Sequence, residues 1–81
     1  MKLSAGVRMV HDRVTGKHVL LGPERGLVLD ETARAVVALI DGTRSLDDIV
    51  DALDARAPRD TVRRDVSAFL EALTDRRMLT P

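Results

Sequence analysis

Near the start of the chain, the side chains alternate in strand period, and this period-two pattern predicts a first β-strand. In the segment GVRMVHD, every second residue from Val7 to His11 falls on one face. The glycine-containing segments RVTGK and GPERG then read as turns and separate two further apolar runs. The pattern predicts three strands, over residues 7–12, 17–22 and 26–29, joined as an antiparallel meander. The third strand is expected to leave one edge of the sheet without a partner.

After Leu29 the apolar residues recur every three or four positions, which predicts helices. Asp30 and Ser45 stand where an N-cap is expected, and Gly42 is expected to end the first helix. The predicted helices cover residues 31–41, 46–56 and 59–77, and Met78 and Leu79 are expected to fold back onto the core. The element order predicts one α+β domain over residues 1–81. Its expected fold is winged-helix-like, with a three-stranded antiparallel sheet followed by three α-helices.

The composition fits a small aliphatic core and excludes several kinds of site. The apolar fraction is 44%, Phe69 is the one aromatic residue, and there is no cysteine. Disulfides, thiolate metal sites and a cysteine nucleophile are therefore excluded. No apolar run approaches the roughly 20 residues that span a bilayer, and the N-terminus lacks the apolar segment of a signal peptide. These features predict a cytoplasmic protein without a membrane partner.

The net charge is zero, but the charges are unevenly distributed. Residues 1–29 and 55–81 carry an excess of basic groups, whereas residues 30–54 carry seven acidic and two basic groups. Two interpretations are open, an ordinary solvated surface or a basic side that receives an acidic partner.

The polar residues do not form a recognisable catalytic or metal-binding set. Ser4 lies in the N-terminal tail, Ser45 caps a helix and Ser67 falls within one, and no nucleophile motif frames any of them. His11 and His18 lie on neighbouring predicted strands, but two histidines without cysteine are weak evidence for a metal. We therefore expect no catalytic residue, no metal and no cofactor.

Two binding functions and one self-association function remain on this reasoning. A winged helix often binds DNA, but the second predicted helix is acidic and the zero net charge gives little counterion release. A strand at a sheet edge beside an amphipathic helix suits β-strand addition by a peptide. The same edge also suits pairing between copies of the chain.

The chain resembles the PqqD family of pyrroloquinoline quinone (PQQ) biosynthesis over roughly residues 6–80. The resemblance is carried by GVRMVHDRVTGKHVLLGPERGLVLDETA, IDGTRSLDDIV and RRDVSAFLEAL. One departure is DRRML, where the family often has a glycine before the final apolar pair. The resemblance implies a winged-helix-like peptide chaperone without catalytic activity, of the kind that recognises ribosomally made, post-translationally modified peptides.

The resemblance also implies the partners and the position of the site. Members bind the leader of the precursor peptide PqqA as an added strand, between the third strand and the third helix. They present it to the radical S-adenosylmethionine enzyme PqqE, and some are fused to PqqC. On a helical wheel, Arg63, Ser67 and Leu70 fall on the flank of the third helix that suits a peptide pocket. The opposite flank, with Asp65 and Ala72, offers little to an acidic peptide, and the alternative for Leu70 is a place in the core. The expected peptide-binding residues are Gly26, Leu27, Val28, Leu29, Arg63, Ser67 and Leu70.

Overall fold

The computed structural model describes residues 1–54 and 56–80 as five strands and three helices. Four strands come first, then the helices, and a last short strand follows them. The elements are β1 (Lys2–Leu3), β2 (Arg8–His11), β3 (His18–Leu21), β4 (Gly26–Leu29), α1 (Glu31–Ala38), α2 (Leu46–Ala52), α3 (Arg59–Asp75) and β5 (Leu79–Thr80).

The main sheet is the predicted antiparallel meander, in the order β2-β3-β4. Its register pairs His11 with His18 and His18 with Leu29, so a single row of side chains crosses all three strands. Leu20, at the centre of the sheet, is fully buried, and Leu29 is buried at the end of β4. The mixed α+β class with a three-stranded sheet and three helices is confirmed.

A second sheet of two strands was not predicted from the sequence. β1 pairs antiparallel with β5, and the Ser4 N–H also donates to the Met78 carbonyl at 2.9 Å. The segment around Ser4, which the sequence analysis treated as an N-terminal tail, is therefore paired with the end of the fold. Met78 and Leu79 do fold back onto the core, as predicted, and both are buried.

The sequence predicted the first helix three residues longer than it is. α1 begins after Asp30, whose carboxylate accepts from the Ala33 N–H at 2.7 Å as predicted, but it ends at Ala38. There the N–H groups of Leu39 and Ile40 bond to carbonyls three residues back, which tightens the last turn and stops the α-helical ladder. Gly42, with φ of 90°, serves the following loop and does not end the helix.

The other two predicted helices also end early, α2 at Ala52 and α3 at Asp75. The prediction for α2 ran to residue 56, and its residue Ala55 lies outside the described residues, as Pro81 does. α3 ends in a Schellman motif, in which the Met78 N–H donates to the Leu73 carbonyl and the Arg77 N–H to the Thr74 carbonyl. Arg77 takes φ of 60° there, a left-handed conformation that favours glycine, at the position where the resemblance led us to expect one. Within the described ranges, no helix is both long and apolar enough to cross a membrane.

The core lies between one face of the main sheet and the three helices. Each helix contributes the residues of one stripe, as the periodicity predicted. The buried helix residues are Val36, Val37, Ile49, Val50, Val66, Leu70 and Leu73. Together with Leu20, Leu29, Met78 and Leu79 they form one continuous cluster, which fixes β4 relative to α3.

Asp41 organises the loop between α1 and α2, and this predicts a pH effect on stability. Its carboxylate accepts from the Thr43 and Arg44 N–H groups at 2.9 and 3.0 Å, and these bonds lower its pKa to about 2. Because the pKa in the folded state lies below the ordinary value, the stabilisation is present above roughly pH 4 and is lost as the pH falls towards 2. Replacing Asp41 with asparagine should flatten this part of the pH dependence, which urea unfolding at several pH values measures. If the stability of Asp41→Asn fell between about pH 4 and pH 2 as steeply as that of the unchanged protein, Asp41 would not be the source of this pH effect.

Candidate functional site

The free edge of β4 exposes backbone groups at alternate residues. The Gly22 N–H donates to the Arg25 carbonyl at 2.7 Å, which makes Gly22 and Arg25 a hydrogen-bonded pair. Hydrogen-bonded and non-hydrogen-bonded pairs alternate along an antiparallel ladder, so the pairs that contain Leu27 and Leu29 are also hydrogen-bonded. Leu27 and Leu29 therefore direct their N–H and C=O groups towards β3. Gly26 and Val28 therefore direct theirs away from β3. No other described strand pairs with β4, so this side of it is open to an added strand.

The side chains of β4 divide between the two faces of the sheet. Leu29 is buried and Leu27 is half-buried against the core, whereas the Val28 side chain is 60% exposed on the outer face. Gly26 is exposed, and a β-carbon placed there would approach Leu21 at 3.3 Å. The edge is thus anchored by its two core-facing leucines and leaves the backbone of Gly26 and Val28 accessible.

α3 passes both ends of β4 and runs in the opposite direction. Near its middle, Phe69 lines a groove together with Asp30, which follows the last residue of β4. Beyond its end, Arg76 and Met78 line another concavity together with Arg25, which precedes the first residue of β4. α3 and the residues after it therefore lie near both ends of the strand, an arrangement that suits a peptide added along β4.

The groove next to the end of β4 is open, with a volume of about 650 Å³, and we call it the α1–α3 groove. Its floor is apolar and is formed by the first turns of α1, the residues after α2 and one flank of α3. Its rim is mostly acidic. The floor contains Ala33, Val36, Leu53, Val62, Val66 and Phe69, and the charged rim residues are Asp30, Glu31, Asp54, Arg56 and Asp65.

The predicted contacts on α3 lie elsewhere. The Arg63 Nε donates to Asp47 Oδ1 of α2 at 2.9 Å, which lowers the pKa of Asp47 and holds Arg63 on the side of α2. Ser67 is half-buried and lines a shallow surface with Arg63 in which every residue belongs to α3. Leu70 is 6% exposed and is part of the core. The structure brings Gly26–Leu29 together on one edge but does not bring Arg63 or Ser67 to that edge.

The position of α2 explains this difference. Arg59 and Arg63 form ion pairs with Asp47 and Asp51, so α2 covers the flank of α3 on which they lie. α3 is consequently rotated so that Leu70 joins Val66 and Leu73 inside. Asp65 and the half-buried Phe69 face the groove instead. The sequence had favoured the other flank, because the flank with Asp65 and Ala72 offers little to an acidic peptide.

The two histidines lie together, as their predicted strands suggested. Their rings stack across β2 and β3 with centroids 4.6 Å apart and planes inclined by 18°. They occupy a non-hydrogen-bonded pair, where side chains of opposite strands approach most closely. Over residues 1–54 and 56–80, no group of three or more His, Cys, Asp or Glu side chains is placed to hold a metal ion.

Comparison with known proteins gives a consistent family. Residues 17–79 match the family described as coenzyme PQQ synthesis protein D (PqqD). The chain is 42% identical over 83 residues to the "PqqA binding protein" of Rhizobium meliloti (strain 1021), covering 98% of this chain and 83% of that protein.

Two solved structures share the fold closely. One is the solution structure of the PqqD truncation of Methylobacterium extorquens PqqCD, described as a functional and stand-alone RiPP recognition element. It has a TM-score of 0.83 and 36% identity, and the match covers 99% of this chain and 87% of that chain. The other is TbiB1 in complex with the TbiA(β) leader peptide. It also has a TM-score of 0.83, with 30% identity over 98% of this chain and 94% of that chain.

Proposed function

The chain belongs to the PqqD family, and on that premise we propose that it binds the leader of the precursor peptide PqqA in PQQ biosynthesis. The peptide adds to the open edge of β4 as a further strand. The observation that carries this proposal is the pair of outward-directed residues, Gly26 and Val28, on an edge that no described strand covers. A relative described as a PqqA binding protein and a similar structure solved with a leader peptide support it.

Strand addition supplies affinity through the backbone and selectivity through side-chain pockets. Gly26 and Val28 offer two N–H donors and two C=O acceptors, while Leu27 and Leu29 hold the edge on the core. A peptide that follows β4 past Leu29 reaches Asp30 and the α1–α3 groove. We therefore place the contacts with α3 at Val62, Asp65 and Phe69. The alternative peptide contacts that the sequence predicted, at Arg63, Ser67 and Leu70, are untested and stay a prediction.

A role for the bound peptide is implied by the resemblance described above. We propose that the protein presents PqqA to the radical S-adenosylmethionine enzyme PqqE and that the covalent chemistry occurs there. This chain acts by binding alone. It would shape the flexible leader into an extended strand and carry it to the enzyme, which lowers the entropic cost of the second encounter.

Calorimetric titration with a synthetic PqqA peptide tests this function. We expect one peptide to bind per chain, and a scrambled peptide of the same composition to give no saturation. Duplex DNA at physiological salt should also give none, because Arg59 and Arg63 are already engaged by carboxylates of α2. No binding of PqqA at about 1 mM, where even an affinity near 4 kcal/mol would be detected, would contradict the proposal.

A further inference from the structure

The rim of the α1–α3 groove is acidic, whereas the sequence suggested a basic binding side for an acidic partner. Four carboxylates, from Asp30, Glu31, Asp54 and Asp65, surround the groove against the single guanidinium of Arg56. An acidic peptide segment would be repelled here, because like charges a few ångströms apart at a partly desolvated surface interact strongly. The groove therefore suits a segment with positive charge.

Two of the four carboxylates already have partners within the chain. Asp30 accepts the Ala33 N–H as the cap of α1, and Glu31 pairs with Arg34. Asp54 and Asp65 make no side-chain hydrogen bond or ion pair with any residue of the described ranges. These two exposed carboxylates, one after α2 and one on α3, are thus available to an incoming cation.

The floor between them is apolar and partly open to solvent. Val62 and Phe69 are half-buried and pack against the core from the groove side, above the buried Val36 and Val66. Phe69 is the only aromatic residue of the chain, and it places its large apolar surface in this groove. Such a floor binds an apolar side chain by removing its surface and that of Phe69 from water.

Resting on the proposed peptide-binding function, we propose that the α1–α3 groove selects a segment of the bound peptide with an apolar residue and a lysine or arginine close to it. The apolar side chain packs on Val62 and Phe69. The cation of the neighbouring residue is held between Asp54 and Asp65, where hydrogen bonds assisted by charge are stronger than neutral ones. Asp54 and Asp65 are therefore specificity-determining residues for a basic segment of the ligand.

Charge reversal tests the proposal with a matched control on the same helix. Asp65→Lys and Asp54→Lys reverse the groove charge, and Glu71→Lys makes the same change on the surface of α3 that carries Arg63 and Ser67. The probe is the synthetic PqqA peptide, titrated at low and at high salt. We expect each groove variant to weaken binding about tenfold at low salt and less at high salt, with Glu71→Lys within about twofold of the unchanged protein.

A second arm replaces each lysine and arginine of the peptide with glutamate, one at a time. One of these replacements should weaken binding to the unchanged protein and be rescued by Asp65→Lys. Unchanged or tighter binding of PqqA by both groove variants, or the absence of any rescued peptide, would overturn the inference. A loss of PqqA affinity in Glu71→Lys alone would also overturn the inference and would place the peptide on the flank of α3 that carries Arg63.

The outcomes separate this inference from the function on which it rests. If the unchanged protein does not bind PqqA, the proposed function fails and the inference fails with it. If it binds but the groove variants behave like Glu71→Lys, only the inference fails. Circular dichroism confirms the fold of each variant, and Asp54→Lys, in the exposed segment before α3, decides the question if Asp65→Lys is unfolded.

Discussion

Replacing Val28 with proline is expected to leave the domain folded and to weaken the binding of PqqA strongly. The Val28 N–H points to the open edge of β4, so proline removes no hydrogen bond of the sheet, and its ring replaces a side chain that is 60% exposed. The free energy of unfolding should change by less than about 1 kcal/mol. An added strand, however, loses a donor at the centre of the edge and meets the proline ring, which should weaken binding at least about 30-fold.

Val28→Thr is the matched control for this variant. Threonine keeps the N–H and the branched shape of valine, so binding should stay within about threefold of the unchanged protein. Calorimetry measures both affinities, and urea unfolding measures both stabilities. Normal affinity in a folded Val28→Pro protein would exclude strand addition at β4.

The largest effect on stability is expected for Leu70→Ala. Leu70 is 6% exposed and packs in the core next to Val66 and Leu73, so truncation leaves a cavity. Loss of a buried leucine typically costs about 2–5 kcal/mol, which is a large part of the stability of a small domain. The urea midpoint should fall accordingly, whereas Leu70→Met, which conserves volume, should cost less than about 1.5 kcal/mol.

Leu70→Ala also distinguishes the two positions considered for this residue. If Leu70 lined a peptide pocket, as the helical wheel suggested, truncation would weaken peptide binding with little change in the urea midpoint. Its burial predicts the reverse, a large loss of stability with near-normal affinity in the fraction that remains folded. A midpoint unchanged within error would contradict its placement in the core.

Local chemistry accounts for the parts of the fold that the sequence predicted well. The alternation from Val7 to His11 and the turn at Gly22 define the meander, because both depend on residues a few positions apart. The caps at Asp30 and Ser45 are similarly local, and the carboxylate of Asp48 completes a capping box with Ser45. These features follow from the geometry of one turn or one strand and need no knowledge of the remaining chain.

The parts that were missed depend on contacts between distant segments. β1 and β5 have two residues each, too few to show a period, and pair only because the ends of the chain meet over the core. The left-handed conformation of Arg77 is imposed by the return of Met78 to the core, and arginine gives no signal for it. The early end of α1 similarly reflects backbone bonds that its apolar stripe does not encode.

The candidate site shows the same division. Gly26–Leu29 could be identified as an edge from their order in the meander, and which of them face outward follows from the register. The contacts on α3 could not be assigned, since a helical wheel identifies the apolar stripe but not the neighbour on either side of it. Only the ion pairs of Arg59 and Arg63 show that α2 occupies one flank and leaves Asp65 and Phe69 to the groove.

Hydrogen–deuterium exchange of the backbone amides, with and without saturating PqqA peptide, tests strand addition at β4 most directly. In the protein alone, the Leu27 and Leu29 amides should be protected by β3, and the Gly26 and Val28 amides should exchange rapidly. On addition of the peptide, we expect the exchange of the Val28 amide, and of the Gly26 amide beside it, to slow at least about tenfold, as ladder hydrogen bonds form. Saturating binding that leaves both amides as exposed as before would contradict the proposed edge.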